Sequence, residues 1–253
     1  MTIERKRRGN SRYVILFLML TVALYLVYFG INHAIQHISL FKINQITIKG
    51  NENLDKSFLL NMVKDFSGEN LFSITQNDVK TKYENVIRVK SVKLKKVLPN
   101  KLIIQIKERK GEFFVKTQNG LLIPIDNDKM VLDNDRNYPN EILPIIDTQL
   151  VLKKNLFYGK PIKDNFVDSI FVMKKKLYEI DKSFISNISE FYLENNDIVM
   201  IDKMAGYKLI LGKNNLEDKI KRFNFLKLNT QIAANQRVIL KWNEDIVIQP
   251  EAN

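Results

Sequence analysis

The sequence predicts an α+β protein with a single N-terminal transmembrane helix followed by two domains of strands and short helices. Residues 13–31 form a run of nineteen residues without a charge. The roughly 220 residues beyond the membrane alternate between period-two apolar patterns, typical of strands, and apolar residues spaced three and four apart, typical of helices. At 45% hydrophobic residues, the chain can form packed cores, which excludes a disordered tether.

Residues 13–31 (YVILFLMLTVALYLVYFGI) are predicted to form an uncleaved signal-anchor helix. At about 1.5 Å rise per residue, the run makes a helix of roughly 28 Å, close to the hydrocarbon thickness of a bilayer. A cleaved signal peptide is the alternative. The run is long for that role, however, and the residues after it show no small-x-small cleavage pattern.

The charges on either side of this run predict its orientation. The first cation after it is Lys42, whereas five cations precede it: Arg5, Lys6, Arg7, Arg8 and Arg12. Because the positive side of a transmembrane helix stays inside the cell, residues 1–12 are predicted to be a cytoplasmic basic tail. We therefore expect a single-pass type II protein of the inner (plasma) membrane, with its C-terminal domains extracytoplasmic.

The net charge of +12 and the absence of cysteine exclude several classes of function. Without cysteine there are no disulfides, no thiol catalysis and no Cys-ligated metal. Lysine and arginine are spread along the extracytoplasmic part, and we interpret them as solvated surface charges. A basic face toward anionic lipid or cell-wall polymer is the alternative. No nucleic-acid recognition motif accompanies these residues, so no nucleic-acid partner is expected.

The first domain, residues 41–110, follows a linker at 32–40 and is predicted to have the order β-α-α-β-β. Residues 41–49 read as a strand with one irregular step. An amphipathic helix at 55–66 ends at Gly68, and a second helix at 75–85 has Thr75 and Asp78 in capping positions. Strands at 86–97 and 101–109 are joined by a turn at 98–100. This order predicts a three-stranded sheet with two helices on one face.

The second domain, residues 111–253, is predicted to be a mixed β domain with two helices. Its first helix covers 161–181, and Asn214 is predicted to cap the second. The predicted strands are 113–117, 120–126, 129–133, 188–193, 197–201, 207–211, 237–242 and 245–249. The last two strands form a C-terminal hairpin, with Asn243-Glu244 as a tight turn.

Apolar residues occupy both faces of this terminal hairpin, which leaves two interpretations open. The last strand is either buried on both sides under a helix, or it ends a sheet and exposes unpaired N–H and C=O groups. In the second case a partner can add a strand there. Trp242, the single tryptophan of the chain, is either a core residue or an interface anchor.

No candidate catalytic or metal site is convincing. His33 and His37 have the i, i+4 spacing of a metal pair, but no third ligand lies within nine residues. Residues 133–137 begin like a calcium loop, yet Tyr138 and Pro144 replace its required Gly and Glu. No glycine-rich phosphate loop is present either. We therefore predict no enzyme, no cofactor, no metal and no small-molecule substrate. A carboxylate pair from distant segments leaves no sequence signature.

Three motifs carry a resemblance to a known family: FKINQITIKGN at 41–51, GENLF at 68–72 and LPNKLIIQIKER at 98–109. They resemble a POTRA domain and, directly after a signal-anchor, the FtsQ/DivIB family of bacterial cell-division proteins. Leu98 replaces the family's Trp, and Val86-Ile87 stands where many members have Pro-Trp. Lys110-Gly111 replaces the usual Pro. The order of elements in the second domain resembles the family's β domain.

The resemblance implies a function without chemistry of its own. It implies a bitopic scaffold of the divisome at the division septum that binds FtsB- and FtsL-like bitopic partners and organises septal cell-wall synthesis. Other divisome proteins would be recruited through the POTRA domain. It also favours an open terminal edge and implies that the partner-binding residues are Lys241, Trp242, Glu244, Asp245 and Val247.

Two alternatives remain open. One is a POTRA-containing outer-membrane assembly or secretion component, which typically continues into a long β-barrel. The other is a membrane-anchored cell-wall hydrolase, which needs a carboxylate pair in a cleft.

Overall fold

The computed structural model describes residues 11–134, 142–242 and 245–250, and it divides the chain into two compact units, Met1–Lys107 and Glu108–Asn253. The fold class is α+β, as predicted. The described helices are α1 (Ser11–His37), α2 (Lys56–Asn61), α3 (Gln76–Tyr83), α4 (Asn165–Ile180) and α5 (Leu216–Asn229). The strands of the first unit are β1 (Gln45–Lys49), β2 (Val89–Val97) and β3 (Lys101–Glu108).

Helix α1 contains the whole of the predicted 13–31 segment and continues to His37, so most of the expected linker is helical. Its stretch Tyr13–Gly30 is long and apolar enough to cross a membrane, and none of it is buried against the rest of the chain. Residues 1–10 of the predicted tail, and the side chains of His33 and His37, lie outside the described part of the structure.

The three strands of the first unit form one sheet in the order β1-β3-β2, and β1 runs parallel to β3. Alternate residues of these strands, such as Ile48 and its partner Ile104, are buried toward α2 and α3. The two helices are tied together where the Tyr83 hydroxyl donates to the Leu59 carbonyl at 2.8 Å. Thr75 and Asp78 form the predicted capping box at the start of α3.

Two details of the first unit differ from the sequence prediction. The strand predicted at 41–49 forms only from Gln45, because Ile43 exchanges backbone hydrogen bonds with the 68–69 segment (Ile43 N to Glu69 O, 2.8 Å; Gly68 N to Ile43 O, 2.9 Å). The helix predicted at 55–66 stops at Asn61, and a short 3₁₀ turn at Lys64–Phe66 completes it. Its apolar stripe is nevertheless buried, with Leu59, Val63 and Phe66 in the core.

The second unit is built on an eight-stranded sheet in the order β11-β10-β9-β8-β7-β6-β4-β5. The β4–β6, β6–β7 and β9–β10 pairs are parallel, and the other pairs are antiparallel. Helices α4 and α5 pack on one face of it, where strand and helix side chains share one core. Its strands are β4 (Phe113–Lys116), β5 (Leu122–Ile125), β6 (Ile145–Asp147), β7 (Ile188–Glu194), β8 (Asp197–Asp202), β9 (Lys208–Ile210), β10 (Gln236–Ile239) and β11 (Val247–Pro250).

Three predictions for the second unit are wrong in detail. The strand predicted at 129–133 is reduced to isolated bridges at Met130 and Val131. Asn214 does not cap α5; Asn215 precedes the helix in a left-handed conformation, and its side chain makes no capping hydrogen bond. The strands predicted at 237–242 and 245–249 are also too long, because the last paired residues of the hairpin are Ile239 and Val247. The tight turn predicted at Asn243-Glu244 lies outside the described residues.

Candidate partner-binding surface

Strand β11 lies at the end of the eight-stranded sheet, and the structure shows no strand beyond it within residues 142–242 and 245–250. Val238 of β10 is buried in the core, and its partner Ile248 on β11 is 36% exposed. Directly paired residues share a face of a sheet, so Ile248 points to the core side of the sheet, as Val238 does, but is less covered. The sheet therefore ends in a partly exposed apolar strand.

The outward-facing backbone of β11 can be assigned from its last residue. Pro250 pairs with Gln236 and has no N–H, and a proline fits an edge strand where its nitrogen points away from the neighbouring strand. Because orientation alternates along a strand, Ile248 has the same orientation as Pro250. The N–H and C=O of Ile248 are therefore the groups that face the open edge.

Trp242 lies in the loop that follows β10 and is 54% exposed. It lines a shallow surface groove with the turn between β7 and β8, where Asn195 and Asn196 both have positive φ. The chain leaves the sheet just before Trp242, since Leu240 is fully buried and its N–H donates to the Ile210 carbonyl at 2.8 Å. The exposed indole is therefore not a core residue, and the role of Trp242 as an interface anchor stays a prediction.

Two contacts hold the start of this loop. The Lys241 ammonium donates to Asp197 at 2.8 Å, which ties the loop to the start of β8. The Lys241 carbonyl accepts from the ammonium of Lys219 at 3.1 Å, and the same ammonium donates to the Leu211 carbonyl at 2.9 Å. The side chain and the carbonyl of Lys241 therefore both make contacts within the domain, one residue before the indole.

Lys219 is fully buried, which is unusual for a lysine. Burial lowers its pKa, and the positive charge of Arg222 lowers that pKa further. Sequence reasoning missed this residue, although a signal was present. Lys219 stands at the i+3 position of the apolar stripe of α5 that Leu216 begins and Ile220 and Phe223 continue.

The structure brings the predicted site residues to one end of the domain. Lys241 and Trp242 are exposed neighbours in the loop, Asp245 is exposed near its end, and Val247 is half-buried at the start of β11. Glu244 lies outside the described residues. The contribution of Asp197 and Lys219 is new, because both hold the loop from positions far away in the sequence.

A metal site and a paired carboxylate are the two catalytic features considered from the sequence. Within 11–134, 142–242 and 245–250, no three His, Asp or Glu residues come together in a way that could hold a metal ion. The groove beside α4 that Phe171, Lys175 and Tyr178 line contains one carboxylate, Glu112, and that carboxylate is ion-paired with Lys174. The carboxylate pair that the hydrolase alternative requires is not found in this groove.

Residues 41–109 match the family model described as "POTRA domain, FtsQ-type". This match covers β1, α2, α3, β2 and β3. The class is thus a POTRA-domain protein of the FtsQ type, with one apolar helix before the domain and a sheet-rich unit after it.

Relatives named "Cell division protein DivIB" extend the similarity beyond this domain. The relative from Clostridium botulinum (strain Hall) is 27% identical over 240 residues, which cover 94% of this chain and 87% of the relative. The relative from Bacillus subtilis (strain 168) is 25% identical over 243 residues, which cover 94% of this chain and 82% of the relative. The relative from Clostridium tetani is 27% identical over 170 residues, which cover 64% of this chain and 63% of the relative. Over 94% of its length, the chain is thus similar to proteins named as cell-division proteins, and its residues 41–109 match the FtsQ-type POTRA model.

Proposed function

We propose that this protein is a non-enzymatic bitopic scaffold of the bacterial divisome that binds FtsB- and FtsL-like partners through its last strand. The observation that carries the proposal is the open edge of β11 at the end of an eight-stranded sheet. The half-exposed indole of Trp242, in the segment of chain before this strand, supports it. Similarity to the cell-division proteins supports the role in division, and helix α1 supports attachment to the membrane.

The partner adds a strand to β11. Backbone hydrogen bonds to the outward N–H and C=O of Ile248 supply affinity, while side-chain contacts supply selectivity. Trp242 is the anchor, because an exposed aromatic side chain buries a large apolar area when a partner covers it. Asp245, Glu244 and Val247 complete the contact zone, and Lys241 positions the loop through its contacts with Asp197 and Lys219.

The orientation follows from the basic residues before α1. Residues 1–12 stay in the cytoplasm, and the POTRA domain and the sheet-rich second unit lie outside the plasma membrane. The scaffold concentrates its partners at the septum, where cell-wall synthesis takes place. Recruitment of other divisome proteins belongs to the POTRA domain.

The test follows a fluorescent protein fused to the cytoplasmic N-terminus through the cell cycle. We expect the fusion to concentrate at the division site before constriction. A matched fusion that carries residues 1–40 alone should stay uniform in the membrane, because it lacks the POTRA domain and the second unit. Uniform fluorescence of the full chain at all stages would refute the division role.

A further inference from the structure

The net positive charge beyond the membrane helix is concentrated in the POTRA domain. Residues 41–109 contain fourteen Lys and Arg against seven Asp and Glu, a net charge of +7. Residues 110–253 contain twenty-one against twenty, a net charge of +1. The excess charge therefore belongs to the unit that follows the membrane helix directly.

Within this domain the charges are segregated by face. Six of the seven acidic residues lie in the 52–84 segment, which contains α2 and α3. The seventh, Glu108, is buried. The sheet face away from the helices carries no acidic residue from its strands. We call it the lysine face, and its lysines are Lys49, Lys93, Lys95, Lys101 and Lys107.

Strand alternation assigns these side chains to that face. Lys49 pairs with Gln105, one residue after the buried Ile48–Ile104 pair, so both point away from the core. On β2, Lys96 lies on the helix side, where its ammonium donates to the Phe72 carbonyl at 3.2 Å. Its neighbour Lys95 therefore points to the opposite face, as does Lys93 two residues earlier.

Protection of the sheet edge does not account for these lysines. Lysines on an edge strand usually prevent pairing with another chain. Here the edge of β2 is already occupied, because the Gln76 amide donates to the Val92 carbonyl and accepts from the Leu94 N–H, both at 2.8 Å. Lys101 and Lys107 moreover lie on β3, the central strand of the sheet.

The chain keeps one end of the sheet close to the end of helix α1. Helix α1 ends at His37, and seven residues later the Asn44 N–H donates to the Asn100 carbonyl at 3.1 Å. Seven residues span at most about 25 Å, so the hairpin between β2 and β3 lies within that distance of the helix end. Leu98 is 63% exposed on this hairpin, and Lys101 begins the strand after it.

We propose that the lysine face lies on the bilayer that anchors the chain and binds the headgroups of anionic phospholipids. The net charge is +7 in residues 41–109, which follow the membrane helix, and +1 in residues 110–253. This distribution is expected if the positive charge binds the membrane surface. Each lysine near an anionic surface strengthens binding by about fivefold. This inference does not depend on the division role.

The experiment uses the full chain in lipid nanodiscs. Because the chain has no cysteine, a single dye can be placed at Gln105→Cys on the lysine face or at Asn77→Cys on the exposed side of α3. Quenching by a nitroxide on lipid headgroups reports proximity to the membrane. We expect strong quenching at Gln105→Cys with about one-third anionic lipid, and little in neutral lipid or at about 0.5 M salt. Asn77→Cys should stay unquenched throughout.

A charge-matched pair of variants isolates the face. The triple variant Lys93→Gln, Lys95→Gln, Lys107→Gln should shift the ratio of bound to free domain by roughly a hundredfold.

The control triple removes the same charge from the helix side, where Lys56, Lys64 and Lys80 are exposed, and should leave quenching unchanged. Equal quenching in neutral and anionic bilayers, or equal loss in both triples, would overturn the proposal. The proposal would also be overturned if only added soluble poly(glycerol phosphate), and not the anionic bilayer, shielded the Gln105→Cys dye, because the face would then bind a polymer.

Discussion

The buried ammonium of Lys219 donates to the backbone carbonyl of Lys241 at 3.1 Å, one residue before the exposed Trp242. The same ammonium holds the Leu211 carbonyl at 2.9 Å, at the end of β9. The buried Lys219 ammonium therefore fixes the backbone at the point where the chain leaves the sheet. The same contacts stabilise the domain and hold the residue next to Trp242 in the proposed binding surface.

Replacing Lys219 by methionine should destabilise the second unit by about 2 kcal/mol, because two buried carbonyls lose their donor. Lys221→Met is the matched control, since Lys221 is exposed and makes a surface ion pair with Glu217. That variant should change the free energy of unfolding by less than about 0.5 kcal/mol. Denaturant unfolding measures both, and equal stability of the two variants would show that the Lys219 contacts contribute nothing.

Strand addition at β11 makes a specific prediction for Ile248. Ile248→Pro removes the outward N–H without removing a hydrogen bond to β10, so the domain should stay folded while partner affinity falls by at least about tenfold. Ile248→Ala is the control, because it keeps the N–H and loses only part of an exposed side chain. Affinity can be measured by titrating the purified partner. Equal affinity of the two variants would mean that the edge backbone is not used.

The glycines of the two family motifs at 41–51 and 68–72 should differ in their tolerance of alanine. Gly50 and Gly68 both have positive φ, which costs alanine about 1–2 kcal/mol. A Cβ at Gly50 would also lie 2.4 Å from the Ile106 carbonyl oxygen, whereas a Cβ at Gly68 would meet nothing within 4 Å. We expect Gly50→Ala to be the more destabilising by at least about 2 kcal/mol. Hydrogen exchange of β1 and β3 amides measures the difference, and equal protection in the two variants would contradict it.

Asp202 predicts how the second unit responds to acid. Burial raises its pKa, but hydrogen bonds from the Ala205 N–H, the Tyr207 hydroxyl and the Met204 N–H outweigh burial and leave it below the ordinary value. A depressed folded-state pKa gives stability that is present above the unfolded pKa, near 3.9, and is lost as the pH falls below it. Asp202→Asn should be less stable at pH 7 by about 1–3 kcal/mol and should lose less between pH 5 and pH 3. Denaturant unfolding across this range tests it, and parallel curves for the two proteins would refute the assignment.

Local patterns predicted much of the fold. The Thr75 and Asp78 capping box needs only residues close in sequence, and it forms as predicted. The strand expected from Phe41 failed in its first half because Ile43 takes its hydrogen bonds from the 68–69 segment. The choice between those partners depends on tertiary packing, which alternation of apolar residues does not report.

The candidate site was predictable in position but not in geometry. The sequence and the family resemblance led to Trp242 and the last strand, and the structure shows that the side chain is exposed and the strand terminal. The strand predicted at 237–242 stops pairing with β11 at Ile239, although the Leu240 N–H still donates to the Ile210 carbonyl of the parallel strand. Where this pairing ends depends on long-range contacts, which the alternation of apolar residues does not report.

The most direct test of the scaffold function is co-purification of the FtsB-like partner with a Trp242→Asp variant. Trp242 is 54% exposed, so the variant should fold normally. Phe225→Asp, at an aromatic residue 70% exposed on α5, is the matched control. We expect Trp242→Asp to lose the partner and Phe225→Asp to retain it at the unmodified level. Full retention of the partner by folded Trp242→Asp would contradict the proposed interface.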